Sequence, residues 1–192
     1  PAPLTELLLV PRTQMRIAPA ALSLLPDWVG AELQDADPHH RAQISVQPGL
    51  QVEGDGRLLK LMLNQLMHNA WKFTCERSAA RHAAAQASAQ PAGEPEPVRI
   101  EVFGERSGDR LVLSVRDQGT GFDMRYAHKL FEPFQRLHGP DQGGGHGLGL
   151  AIAWRVVERH RGQMRAHSQP DAGSTFTVEL PVVSAGEDIP NA

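Results

Sequence analysis

The sequence predicts an α/β protein, in detail an α+β two-layer sandwich: one mixed β-sheet with helices packed on one face. Three observations lead there. The periodicities run helix, strand, helix, two strands, helix, two strands. The 192 residues supply one sizeable core and hardly a second. No internal repeat divides the chain.

The elements follow in chain order. LTELLLVPRTQM carries apolar residues at Leu4, Leu7 and Leu8 and reads as the end of a preceding helix. Ser23 is placed as an N-cap, with Pro26 tolerated in the first turn. Leu25, Trp28, Val29 and Leu33 continue that helix until DADPHHR ends it. AQISVQPG alternates as a strand. A long helix follows from about Asp55 to Thr74, with Leu59, Met62, Leu63, Leu66, Ala70 and Phe73 on its core face. Residues 75–96 are biased towards Ala, Gln, Pro and Glu and are expected to be an insertion loop; their Ala-rich first half can extend the helix, their Pro-rich second half cannot. VRIEVFG and RLVLSVRD are strands, and Met124 to about Pro140 form short helical and loop pieces. A glycine-rich stretch opens a helix with Leu150, Ala153, Trp154 and Val157 on one face. QMRAHSQ and STFTVELP close the fold as strands around a PDAG turn, and the polar tail from 184 to 192 is expected to fray.

Composition excludes several classes. Hydrophobic residues are 41% and charged residues 21% of the chain, ordinary for a globular protein. A net charge of -3 and a pI near 6.3 favour no nucleic-acid or anionic-membrane partner. Cys75 is the only cysteine, which excludes an internal disulfide and suits a reducing compartment. No apolar run is long enough to cross a bilayer, and the start lacks the features of a signal peptide. A cytoplasmic protein is expected, or the cytoplasmic piece of a longer, membrane-associated one.

Three elements carry chemistry. On the long helix, Gln65, Asn69 and Lys72 share one arc, because steps of four and seven residues return close to the start at about 100° per residue. Two carboxamide oxygens suit Mg²⁺, and an ammonium one turn away suits phosphate; the same arc also fits the polar edge of an amphipathic helix. DQGTGF ends a strand, with Asp117 an acceptor for an exocyclic amine and Gly119 and Gly121 admitting close backbone approach. Alone, DxGxG is also a common turn. GGGHGLGLA leads glycines directly into a helix, whose first N–H groups favour phosphate oxygens; no Gly-Lys-Ser/Thr follows, so it is not a P-loop.

Together, in this order, these elements resemble the catalytic ATP-binding domain of bacterial sensor histidine kinases, in the group that shares a Bergerat-type ATP-binding fold with Hsp90-type chaperones, gyrase B and MutL. LMHNAWKFT looks like the family's N box, DQGTGF its first glycine box, FEPFQRL its F box and GHGLGLAIAWRVVERHRG its second glycine box. GSTFTVELP is similar to its last strand. The likeness covers residues 15–183, and NAWKFT and FEPFQRLH resemble kinases of the phytochrome and PAS-sensor type; residues 1–14 look like the end of the dimerisation helix.

The resemblance implies Asn69 as the main Mg²⁺ ligand, with Gln65 a possible second, and Lys72 on phosphate. Asp117 would accept from the adenine amino group, with Gly119 and Gly121 shaping the pocket and Thr175 near the base. Phe131 and Phe134 would anchor the lid, and Gly145, Gly147, Leu148 and Gly149 would bracket the phosphates. Arg136 would stabilise charge on the transferred γ-phosphoryl group. The implied partners are a dimerisation and phosphoacceptor helical domain of the same protein, a homodimer of the full-length chain, and the receiver domain of a response regulator.

Two departures stand out. The family's second asparagine is replaced by Gln65, and Asn64 lies about 100° away around the helix, where it cannot substitute. None of the 9 histidines precedes an acidic residue, as the phosphoaccepting histidine usually does, so the acceptor is expected outside this sequence. The expected activity is donation of the ATP γ-phosphoryl group to that histidine. A degenerate nucleotide-binding module without transfer and an anti-sigma-type serine kinase of the same fold are the alternatives.

Overall fold

The computed structural model describes residues 14–36, 42–87, 98–132 and 147–182. Seven strands are present among them: β1 (Ala18–Ala21), β2 (Ala42–Val46), β3 (Gln51–Gly54), β4 (Val98–Ser107), β5 (Arg110–Asp117), β6 (Gln163–Gln169) and β7 (Gly173–Pro181). Three α-helices accompany them: α1 (Leu25–Ala36), α2 (Gly56–Ala87) and α3 (Gly149–Arg159). Five strands form the main sheet in the order β2-β4-β5-β7-β6, and β1 pairs with β3 in a separate ribbon. β2 runs parallel to β4 and the other neighbours are antiparallel, so the sheet is mixed as expected.

Period two decides which face is the core. Ile100, Val102, Leu113, Val115, Phe176, Val178 and Met164 are buried and lie side by side through the strand register. Between them point Arg99, Glu101, Arg116, Glu179 and Arg165, forming the ion pairs Arg116–Glu101 and Arg165–Glu179 on the other face. The helices cover only the apolar face. α2 contributes the largest share, with Leu58, Leu59, Met62, Leu63, Leu66, Met67, Ala70 and Trp71 all buried. No helix among the described residues is long and apolar enough to cross a membrane.

Several expectations need correction. β1 and β3 were unforeseen, and each is four residues long. Ser23 is not an isolated cap: it lies inside a 3-10 turn, Leu22–Leu24, that runs straight into α1. The loop expected from residue 75 is helix as far as Ala87, because its Ala-rich half extends α2. Phe73 is half-buried rather than core, since its backbone abuts the turn after β5. In α3 the buried residues are Ile152, Ala153, Val156 and Val157; Trp154 turns aside to stack on Phe131, ring centroids 4.9 Å apart. Residues 1–13 of the helix end expected over 1–14, and all of the tail expected to fray over 184–192, lie outside the described residues.

A buried polar joint ties the start of α2 to the end of α3. The Asp55 backbone N–H donates to His160 Nε2 at 3.0 Å. A backbone N–H can only donate, so Nδ1 carries the ring proton and gives it to the Val156 carbonyl at 2.8 Å. Burial holds the His160 pKa below its ordinary value, in keeping with a neutral ring. Burial also pushes the Asp55 carboxyl upward, but donors from the Arg57 side chain and the Arg16 and Arg57 backbones prevail and bring it to about 2. A depressed carboxyl stabilises the fold above pH 3.8, and that stability is lost as pH falls through about 2. Asp55→Ala is therefore expected to cost about 1–2 kcal/mol at pH 7, with Arg57 too exposed to raise it further. Urea melts should show the gap between variant and wild type closing between pH 4 and 2.

Candidate functional site

The site is built on the turn that follows β5. Asp117, 2% exposed, is the last residue of that strand. Its Oδ1 accepts from the Gly119 N–H at 2.8 Å and the Ser174 N–H at 3.3 Å. Its Oδ2 is buried and has no hydrogen-bond partner among the described residues. Burial pushes the Asp117 carboxyl up to about 6, against the two backbone donors and the charge of Arg77. A carboxylate with one oxygen anchored and the other bare is an acceptor waiting for a donor such as an amine.

Glycine is required where this turn meets its neighbours. A Cβ on Gly119 would lie 2.7 Å from both Asp117 Oδ1 and the Phe73 Cβ. Gly121 adopts φ +63, and a Cβ there would collide with the Gln169 carbonyl. Buried hydroxyls complete the support. Ser168 Oγ donates to the Gly173 carbonyl at 2.8 Å and accepts from the Phe122 N–H at 2.9 Å. With its one proton so used, Ser168 can only accept from Ser174 Oγ, 3.2 Å away. From α2, the Phe73 carbonyl accepts from the Thr120 N–H at 3.3 Å, and Arg77 Nη1 donates to the Gln118 carbonyl at 2.7 Å.

Thr175, expected beside the base, is on the wrong side of the sheet. Along β7, Ser174 pairs with Asp117 whereas Thr175 pairs with Arg116 and His167 on the outer face. Period two therefore gives Ser174 the place assigned to Thr175. The strand register was the missing signal. Arg77 gave no signal at all, being one of two arginines in an Ala-biased stretch.

The polar arc of α2 faces the start of α3. Gln65 Oε1 lies 2.8 Å from where a Cβ on Gly149 would stand, so the two helices meet closely there. α3 starts at Gly149 after Leu148, with no side-chain cap, and Gly147 adopts φ +67. Uncapped N–H groups at a helix start attract anions. Asn69 is half-buried one turn beyond Gln65. Lys72 Nζ is 3.9 Å from Glu76 Oε1 and 5.1 Å from the Phe73 ring centroid, loose contacts that leave the ammonium available. Phe131 anchors its segment on α3 through Trp154. Phe134, Arg136 and Gly145 lie outside the described residues.

A mixed sheet covered on one face, with a bare buried acceptor at a glycine turn and a polar helix arc meeting an uncapped helix start, defines a nucleotide-binding α/β sandwich. The family described as "Histidine kinase-, DNA gyrase B-, and HSP90-like ATPase" matches residues 54–184. The phytochrome-like protein Cph1 of Synechocystis sp. is 41% identical over 91 residues, 47% of this chain and 12% of that protein. The phosphate regulon sensor protein PhoR of Pseudomonas aeruginosa is 31% identical over 159 residues, 82% of this chain and 31% of that protein. The solved mycobacterial sensor histidine kinase MprB superposes with a TM-score of 0.65 at 25% identity, covering 85% of this chain and 97% of that one. The chain thus spans less than a third of the length of either of these two sequence relatives. It belongs to this ATPase family, as a catalytic ATP-binding domain of the sensor-histidine-kinase type.

Proposed function

We propose that this chain binds ATP with Mg²⁺ and donates the γ-phosphoryl group to a histidine on a helical dimerisation domain outside this sequence. That domain would belong to the same protein, acting in a cytoplasmic homodimer, and the phosphoryl group would pass on to a response regulator's receiver domain. The observation that carries the reading is the bare, buried Oδ2 of Asp117. The adenine amino group is a donor of the right kind, and Gly119 and Gly121 let the turn that carries Asp117 pack closely on Phe73 and Gln169.

The carboxamides of Asn69 and Gln65 supply the hard oxygen donors that suit Mg²⁺, together with phosphate oxygens. Bound there, the ion would neutralise phosphate charge. Lys72 would hold a phosphate, the start of α3 would receive its oxygens, and Arg136 would stabilise charge gathering on the transferred group. The acceptor imidazole is already a nucleophile, so this domain contributes positioning and electrostatics.

The first test is titration of the chain with a non-hydrolysable ATP analogue, with and without Mg²⁺. Magnesium-dependent saturation is expected, weakened in Asn69→Ala; no binding at millimolar nucleotide would refute the reading. With an acceptor domain supplied, Arg136→Ala is expected to slow transfer by about 10³-fold while moving the nucleotide Kd little. A second reading, a nucleotide-binding module without transfer, draws support from Gln65, which stands where the family has asparagine and packs against Gly149. Magnesium-dependent binding without any transfer to a supplied acceptor would select it.

A further inference from the structure

The C-terminal stretch of α2, beyond the residues expected to be helical, passes over the turn that carries Asp117. Arg77 reaches from it to two carbonyls of that turn, Gln118 O at 2.7 Å and Gly119 O at 3.3 Å. The first of these belongs to the same peptide unit whose N–H donates to Asp117 Oδ1 at 2.8 Å. Guanidinium, peptide and carboxylate are thus joined in series: a cation on the carbonyl end polarises the peptide and strengthens its N–H as a donor to the anion. Thr120 N–H on the Phe73 carbonyl fastens the next residue to the same helix.

Building on the ATP-binding reading, we infer that Arg77 is a positioning residue for base recognition. It fixes the peptide that anchors Asp117, so that Oδ2 stays ionised and aimed at the base. Among the described residues Arg77 is the cation that favours the charge on this carboxylate, whose other anchors are neutral: the backbone of Gly119 and Ser174. The charged groups around Arg77 itself are Arg81, one turn along α2, which opposes its charge, and Asp117 and Asp171 in the β6–β7 turn, which favour it. Lys72, earlier on α2, lies 3.9 Å from Glu76 in a loose contact and is not among the groups that act on the Asp117 carboxyl. Gln118 holds the turn independently, its side chain accepting from the Arg99 N–H at 3.0 Å, so the turn does not depend on Arg77 alone to keep its shape.

The test compares wild type, Arg77→Met and Arg77→Lys in the 192-residue chain. Two readouts are taken: the NMR titration of the Asp117 carboxyl carbon without ligand, and the Kd for a non-hydrolysable ATP analogue from pH 5.5 to 8.5. In the Met variant the Asp117 midpoint is expected to rise by about one pH unit, which weakens binding about eightfold at pH 5.5 and only about twofold at pH 7. Most of that loss should be recovered at pH 8.5, and Lys should restore the midpoint and the affinity in large part. An unchanged Asp117 midpoint in the Met variant would overturn the inference, whether affinity holds or falls evenly at every pH. Failure of the wild type to bind the analogue would be a different result: it would remove the ATP-binding reading and this inference with it, even if the Asp117 midpoint moved.

Discussion

Asp117→Asn is expected to weaken ATP-analogue binding by about 100-fold or more while leaving the ligand-free domain folded. The carboxylate needs both oxygens as acceptors: Oδ1 for the Gly119 and Ser174 N–H groups, and Oδ2 for the base. Asparagine has a single acceptor oxygen. Whichever way it turns, its NH₂ faces either two backbone donors or the adenine amine, and one buried donor meets another. Stability moves differently. A carboxyl raised from 3.8 to about 6 is destabilising when ionised, by about 3 kcal/mol at pH 7, and that cost disappears as pH falls through 6 towards 3.8. Asparagine carries no charge to bury, so the variant's urea midpoint at pH 7 should match or exceed that of wild type. The same sign fixes the pH dependence of binding. An amine donor favours the ionised carboxyl, so wild-type affinity should be full above about pH 6 and fall about tenfold per unit below it. Isothermal titration across that range, with Asp117→Asn as the reference for nucleotide protonation, checks both statements.

The second large effect is on the fold itself. Gly173→Ala is expected to cost about 3 kcal/mol or more, a large part of the roughly 5–15 kcal/mol that holds a domain together. Gly173 sits at φ +89, and a Cβ there would collide with the Asp117 carbonyl. The strained backbone and the collision each cost about 1–3 kcal/mol. The displaced residue would also pull its carbonyl from Ser168 and disturb the Ser174 N–H that anchors Asp117. Gly108→Ala is the control: it has a similar backbone, φ +61, but open space where its Cβ would stand. It should lose only about 1 kcal/mol in urea melts and keep its nucleotide affinity.

Much of this arrangement could be read in the residues. β4, β6 and β7 alternate over most of their length because one face of each strand is core, and β5 does so except where Ser114 is buried between Leu113 and Val115. β1 and β3 could not be read: APAA and QVEG are too short to show a period, and their pairing with one another makes them strands. The Ala-rich half after Thr74 left helix and loop open, and the helix won. Asp117, Gly119 and Gly121 do come together at one turn, as a local motif should. Thr175 was misplaced because GST sets two hydroxyls side by side, and only pairing with β5 tells which one shares Asp117's face. Arg77 was invisible because its role depends on where a helix, extended past its expected end, passes over a distant turn.

The central claim is that Asp117 reads the base of a bound nucleotide, and its most direct test sets adenine against guanine. The chain is titrated at pH 7.5 in Mg²⁺ with matched non-hydrolysable ATP and GTP analogues. At the position of the adenine amine, guanine carries a carbonyl oxygen, which would face the bare Oδ2 acceptor to acceptor. The expected result is saturable ATP-analogue binding with the GTP analogue at least about 50-fold weaker, and the preference collapsing in Asp117→Asn. Equal affinity for both, or an ATP preference that survives in the variant, would contradict the claim.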